Sequence, residues 1–136
     1  MRPNPKEESL RWFTQAEAEL KDAIYLMKIE SYYLTLFLCQ QSAEKALKAF
    51  IYLSEEEHLH THSVTKLLEI AISIDGNFDS VKKAGRLDDY YIPTRYLNGL
   101  PGVVPATYYD DPDEAQKAVE LAESVINLVR EKIDAQ

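Results

Sequence analysis

The sequence predicts an all-α fold, an antiparallel, up-and-down bundle of four to five helices. Apolar residues recur at steps of three and four along most of the chain, and no segment sustains the alternation of a half-buried strand. The breaks between periodic segments are short, so consecutive helices should run as antiparallel neighbours. A chain of 136 residues with 46% hydrophobic and 28% charged side chains, 4 Gly and 6 Pro has the make-up of one ordinary globule. No internal repeat or Gly/Ser linker divides it, so residues 1–136 are read as a single domain.

The first helix is expected from about Glu7 to Glu30, with Leu10, Phe13, Ala16, Leu20, Ala23, Ile24 and Met27 on one stripe and Glu17, Glu19, Lys21 and Asp22 off it. Ser31 offers a capping oxygen to a second helix bearing Tyr33, Phe37, Gln40, Ala43, Leu47, Phe50 and Ile51 and ending near Ser54. Thr61 or Ser63 can cap a short third helix through Val64, Leu67, Leu68, Ala71 and Ile72. Asp75-Gly76-Asn77 reads as a turn, because Gly and Asn tolerate positive φ. A fourth helix should run from about Phe78 to Tyr91 and stop there, since Pro93 pushes Ile92 out of the α region. Residues 93–111 are expected to be irregular, and long loops are where binding residues concentrate. Asp111-Pro112-Asp113-Glu114 combines a capping acceptor, Pro at the first helical position and carboxylates at the positive end of the dipole. The last helix follows, with Ala115, Ala118, Val119, Ala122, Val125, Ile126 and Val129 as its apolar stripe, and ends near Lys132.

The formal charge of −8 opposes long-range attraction to DNA, RNA or an anionic membrane, so no DNA or membrane partner is expected. A lone cysteine, Cys39, excludes an intrachain disulfide, a CxxC redox pair and a four-cysteine zinc site. Within the apolar stretch from Leu34, Cys39 reads as a small buried hydrophobe. No apolar run reaches the length of a membrane span and the start lacks a secretory h-region, so the expected location is cytoplasmic. P-loop, dinucleotide, GxSxG and nucleotidyltransferase signatures are absent, no catalytic residue is assigned, and no cofactor is expected.

Three constellations carry chemistry. Tyr90, Tyr91, Arg95, Tyr96, Tyr108 and Tyr109 crowd one loop, where rings can stack on a base while a guanidinium chelates phosphate oxygens. The competing reading packs the rings into the bundle's rim and pairs Arg95 with Asp88 or Asp89. Lys82, Lys83 and Arg86 would extend a basic strip towards the same anion, or form a solvated face. Gln40, Gln41 and Glu44 interrupt the apolar seam of the second helix, with Lys45 and Lys48 beside them, and need buried partners such as Arg95 or a tyrosine hydroxyl. They would either form a polar lock against the loop or line a shared cleft. His58, His60 and His62 invite a metal reading, and Glu55-x-x-His58 matches a di-iron spacing, but no second Glu-x-x-His exists. Exposed loop histidines are the preferred reading, so no metal is expected.

FLCQQSAEKALKAFI in the second helix, RLDDYYIPTRYLNG at the fourth helix and its exit, and YYDDPDEAQKAVELAESVI at the last resemble the HEPN family. Ala16 to Leu20, His62 and the ordered Tyr91-x-x-x-Arg95-Tyr96 exit belong to the same likeness, which covers nearly the whole chain. The resemblance implies a helical bundle, a homodimer, a small nucleotidyltransferase as partner and a nucleotide as ligand. HEPN ribonucleases of toxin-antitoxin systems carry an Arg, four to six residues and then a His. Neither Arg95 nor Arg86 is followed by such a His, so metal-independent RNase chemistry is the alternative, requiring a distant base such as His62. A non-catalytic helical dimerisation module is the third possibility. The ligand-binding set expected on these grounds is Arg95, Tyr91, Tyr96, Gln41, Glu44, Lys82 and Arg86.

Overall fold

The structure is a computed structural model that describes residues 4–54 and 60–136, and every regular element in these residues is helical. Helix α1 spans Pro5–Lys28: the Asn4 side chain accepts from the Lys6 amide, Pro5 enters the first turn, and Glu7 and Glu8 face the positive dipole end. It stops two residues short of the expected Glu30, which takes φ 60° and reverses the chain. Helix α2, Tyr32–Leu53, returns antiparallel to α1. Ser31 stands at its N-cap position but makes no side-chain capping bond there.

The α1–α2 seam is close because it is built from small residues. Ala16, Ala23, Ala43 and Ala46 are buried, and Thr35 and Ser42 donate across it to the carbonyls of Ala23 and Ala16 at 2.8 and 2.7 Å. Those two hydroxyls satisfy themselves without water. Helix α5, Pro112–Asp134, covers the seam with Ala118, Ala122, Val125, Ile126 and Val129, capped by Asp111 as its sequence signature requires. Arg130 ties it to Glu17 of α1 at 2.8 Å.

Helix α3, Val64–Ile74, begins at Ser63, whose hydroxyl accepts from the Lys66 amide. The expected fourth α-helix is a 3-10 segment, Gly76–Tyr90, kinked at Val81. Val81, at φ −112° and ψ 16°, is not helical, so two 3-10 stretches meet there, and together they bury Phe78, Val81, Ala84 and Leu87. Phe78 meets Phe50 of α2 with ring centroids 4.4 Å apart. Gly85 lets this segment lie against α3, since a Cβ there would stand 2.7 Å from Thr65 Oγ1. The chain expected to be irregular beyond Pro93 contains a 3-10 turn, Leu97–Gly99, and a one-turn helix α4, Pro105–Tyr108. No helix of the described residues is long and apolar enough to cross a membrane.

Candidate functional site

The polar residues of α2 lie on one stripe, because positions 37, 40, 41, 44 and 48 share a helix face. Opposite them stand the start of α3 and the exit of the 3-10 segment. Gln40 is fully buried at the junction. Its amide nitrogen donates to the His62 carbonyl at 2.9 Å and reaches Asp88 at 3.5 Å, while its oxygen accepts from Gln41 at 3.0 Å and Arg95 at 3.4 Å. One neutral side chain therefore touches all three elements.

Arg95 lies with its guanidinium carbon 3.7 Å from the centroid of Tyr91 and 4.6 Å from that of Phe37. Such ring faces attract a cation without cancelling its charge. Its remaining partner is the Tyr91 carbonyl, to which Nη1 donates at 2.9 Å. Among the described residues no carboxylate pairs with it. A planar guanidinium has five N–H donors, and the two bonds here leave most of that capacity unspent within the described residues.

The expected alternative, in which Arg95 pairs with Asp88 or Asp89, is not what the structure contains. Asp88 instead receives the Val64 amide at 2.7 Å, the Thr65 amide at 2.9 Å and the Ser63 hydroxyl at 2.9 Å. It caps α3 from a different element, joining Ser63 in satisfying the first orphan amides. Asp89 is exposed.

Glu44 is buried with Lys48, which donates to it at 3.0 Å, and His62 Nδ1 lies 3.3 Å from the same carboxylate oxygen. Lys48 also sits over the Trp12 ring at 5.5 Å. A buried ion pair gains from such extra partners because they offset its desolvation. The His62 side chain remains 59% exposed and stacks on Tyr91, with ring centroids 5.6 Å apart. Gln41 reaches Glu44 at 3.5 Å.

Of the expected ligand set, Arg95, Tyr91, Gln41 and Glu44 thus meet in one cluster. Tyr96 is exposed and adjoins the cluster in sequence, with no hydrogen bond or ring contact of its side chain among the described residues. Lys82 and Arg86 are exposed and form no ion pair in the described residues, so they do not join the network. Nor do the tyrosines form one hollow around Arg95. Tyr90 donates to Glu114 of α5 at 2.8 Å and meets Tyr109 edge-on, and Tyr109 in turn meets Tyr108. Burial, then the bond to Glu114, holds the Tyr90 phenol well above its ordinary pKa, and burial followed by the Glu114 charge raises Tyr109.

Phe37 as the second ring on Arg95 was legible only as a position on the α2 wheel, and Asp88 as a remote cap has no local signal at all. Cys39 is buried, which pushes its thiol up to about 12, with the Glu123 charge adding to the effect. His60 lies at the edge of the described residues, and Glu55 and His58 lie outside them. Among the described residues no group of three or more His, Cys, Asp or Glu side chains is placed to hold a metal ion.

The arrangement has relatives. No curated protein matches the chain. The crystal structure of TT1696 from Thermus thermophilus is similar over 92% of this chain and 98% of its own, at 32% identity and TM-score 0.77. That of ST0689, described as an archaeal HEPN homologue, covers 93% of this chain and 98% of its own at 29% identity and TM-score 0.76. The family model for the HEPN domain matches residues 9–132. From the α1–α2 hairpin through the capped α5, the chain belongs to the HEPN family.

Proposed function

We propose that this HEPN bundle is a nucleotide-binding regulatory subunit, acting as a homodimer beside a small nucleotidyltransferase that supplies the catalysis. The observation that carries the reading is Arg95, a guanidinium held by two rings and neutral oxygens with no carboxylate partner among the described residues. Its charge is ordered yet uncancelled, which suits a phosphate oxygen. Tyr91 serves here as the platform under Arg95 rather than as a stacking face for a base, since the guanidinium already lies 3.7 Å from its ring. Tyr96 and the exposed His62 ring are the faces left for stacking.

The test is thermal denaturation with ribonucleoside mono-, di- and triphosphates. A ligand at about 100 times its Kd stabilises by about 2.7 kcal/mol. Arg95→Ala should erase a shift seen in the native chain, while no shift with any nucleotide overturns the reading.

One observation favours the RNase alternative. His62 and Arg95 both lie against Tyr91, so folding brings together an imidazole and a guanidinium that the sequence keeps apart. RNA cleavage in EDTA that disappears in His62→Ala would establish that chemistry.

A further inference from the structure

We propose that the outward surface of residues 92–108 is a docking face for a basic, amphipathic segment of a partner protein. It deepens the regulatory-subunit reading, on which it rests for a partner, but uses residues other than the Arg95 cluster.

Residues 96–109 carry no charged side chain, in a chain that is 28% charged. Ile92, Leu97, Val103, Val104 and Tyr108 are all exposed. Leu97, at 64%, is as open as a surface lysine would be, and a folded surface seldom groups so many apolar side chains without a partner. The first part of this group is contiguous. A Cβ on Gly99 would lie 3.1 Å from Ile92 Cγ2 and 3.0 Å from Pro93 Cα, so the 3-10 turn is folded directly onto the Ile92-Pro93 corner. Leu97, Leu100, Pro101, Val103 and Val104 then line a shallow hollow of about 320 Å³, room for an anchoring side chain.

The rim selects the partner's charge. Asp110, Asp111 and Asp113 follow Tyr108 closely in the chain and are exposed. None of these carboxylates has an ion-pair partner among the described residues. The one cation of the loop, Arg95, is turned onto Phe37 and Tyr91. An apolar face with unpaired carboxylates at its Tyr108 end complements a segment with an apolar stripe and flanking Lys or Arg. A second copy of this chain fits this face less well, since it would bring the same carboxylates against it.

The probes are a synthetic amphipathic helix of Leu and Lys alone and its Leu/Glu counterpart of equal length, titrated into the intact chain while amide NMR shifts are followed. The Leu/Lys peptide should bind with shifts centred on residues 92–113, and the Leu/Glu peptide should not. Leu97→Ser with Val103→Ser should weaken binding about tenfold, with an unchanged Tm because both side chains are exposed. Asp110→Lys should weaken it further, and Arg95→Ala should leave it intact, which separates this surface from the nucleotide reading. Equal binding of both peptides, or affinity indifferent to the serines, overturns the proposal. So does a self-association, seen by sedimentation, that the serine pair abolishes.

Discussion

At the residue scale, Asp88 is the side chain on which most depends. One carboxylate satisfies two backbone amides at the start of α3 and a hydroxyl, and it touches the amide of Gln40. Val64 is fully buried, so its amide has no recourse to water when that acceptor is removed. Asp88→Ala should therefore cost about 1–3 kcal/mol, and Asp88→Asn less, because one oxygen acceptor remains; urea unfolding measures both. Equal stability of Asp88→Ala and the native chain would show that α3 is held by Ser63 alone.

A buried thiol and a half-buried phenol contribute to the alkaline limb of stability. Cys39 is raised from 9.0 to about 12 and Tyr90 well above 10.0, in both cases mainly by burial. A folded pKa above the unfolded one means that the folded state holds its proton longer. Stability from these groups is complete below about pH 9 and is lost as pH rises towards the folded values. The urea midpoint should fall between about pH 9 and 11, and Cys39→Ala combined with Tyr90→Phe should flatten that fall. An unchanged slope in the double variant would place the alkaline loss elsewhere.

At the element scale, the 3-10 segment is the part of the bundle that departs from the expected α-helix. Phe78, Val81, Ala84 and Leu87 are all buried, and the break at Val81 lets the two short 3-10 stretches on either side of it both turn their apolar residues inward. Gly85 lies between two of these residues and accepts the Thr65 hydroxyl at its carbonyl, 3.3 Å away. A methyl group at Gly85 would meet Thr65 Oγ1 at 2.7 Å, whereas the next atom, Thr65 Cβ, is at an ordinary 3.6 Å. Gly85→Ala should thus destabilise by no more than about 1 kcal/mol in the native background, because the exposed Thr65 hydroxyl can turn aside, and by less still beside Thr65→Ala. A double-mutant cycle checks this, and additive costs would mean that the strain lies in the backbone rather than in the hydroxyl.

At the scale of the whole molecule, α1, α2, α3, the 3-10 segment and α5 all contribute to one buried cluster, with α2 at its centre. No element buries its apolar stripe alone, so the bundle should unfold in a single transition. Trp12 is the only tryptophan and reports on the α1–α2 face, where it packs against Tyr52 and Lys48. Its fluorescence and the far-ultraviolet helical signal should give the same urea midpoint; separate midpoints would divide the bundle into independent parts.

The sequence by itself determined α1, α2, α3 and α5, since a helix is written in local spacing and local caps. Ser63 and Asp111 are legible as caps, and α5 begins where its Asp-Pro-Asp-Glu signature requires, whereas the Asn4 cap of α1 came only with the structure. The same local pattern marks Gln40, Gln41, Glu44, Tyr91 and Arg95 as residues needing an explanation, because polar groups on an apolar seam must find partners. Only the tertiary structure decided which partners they found. Asp88 went to the α3 amides, leaving Arg95 to two aromatic rings and a neutral amide, and Tyr90 went to Glu114 while Tyr91 stayed under Arg95. The physical reason is that a charge selects its counterpart by distance in space, and residues far apart in the chain become neighbours only once the α2 seam has packed against α3 and the 3-10 exit.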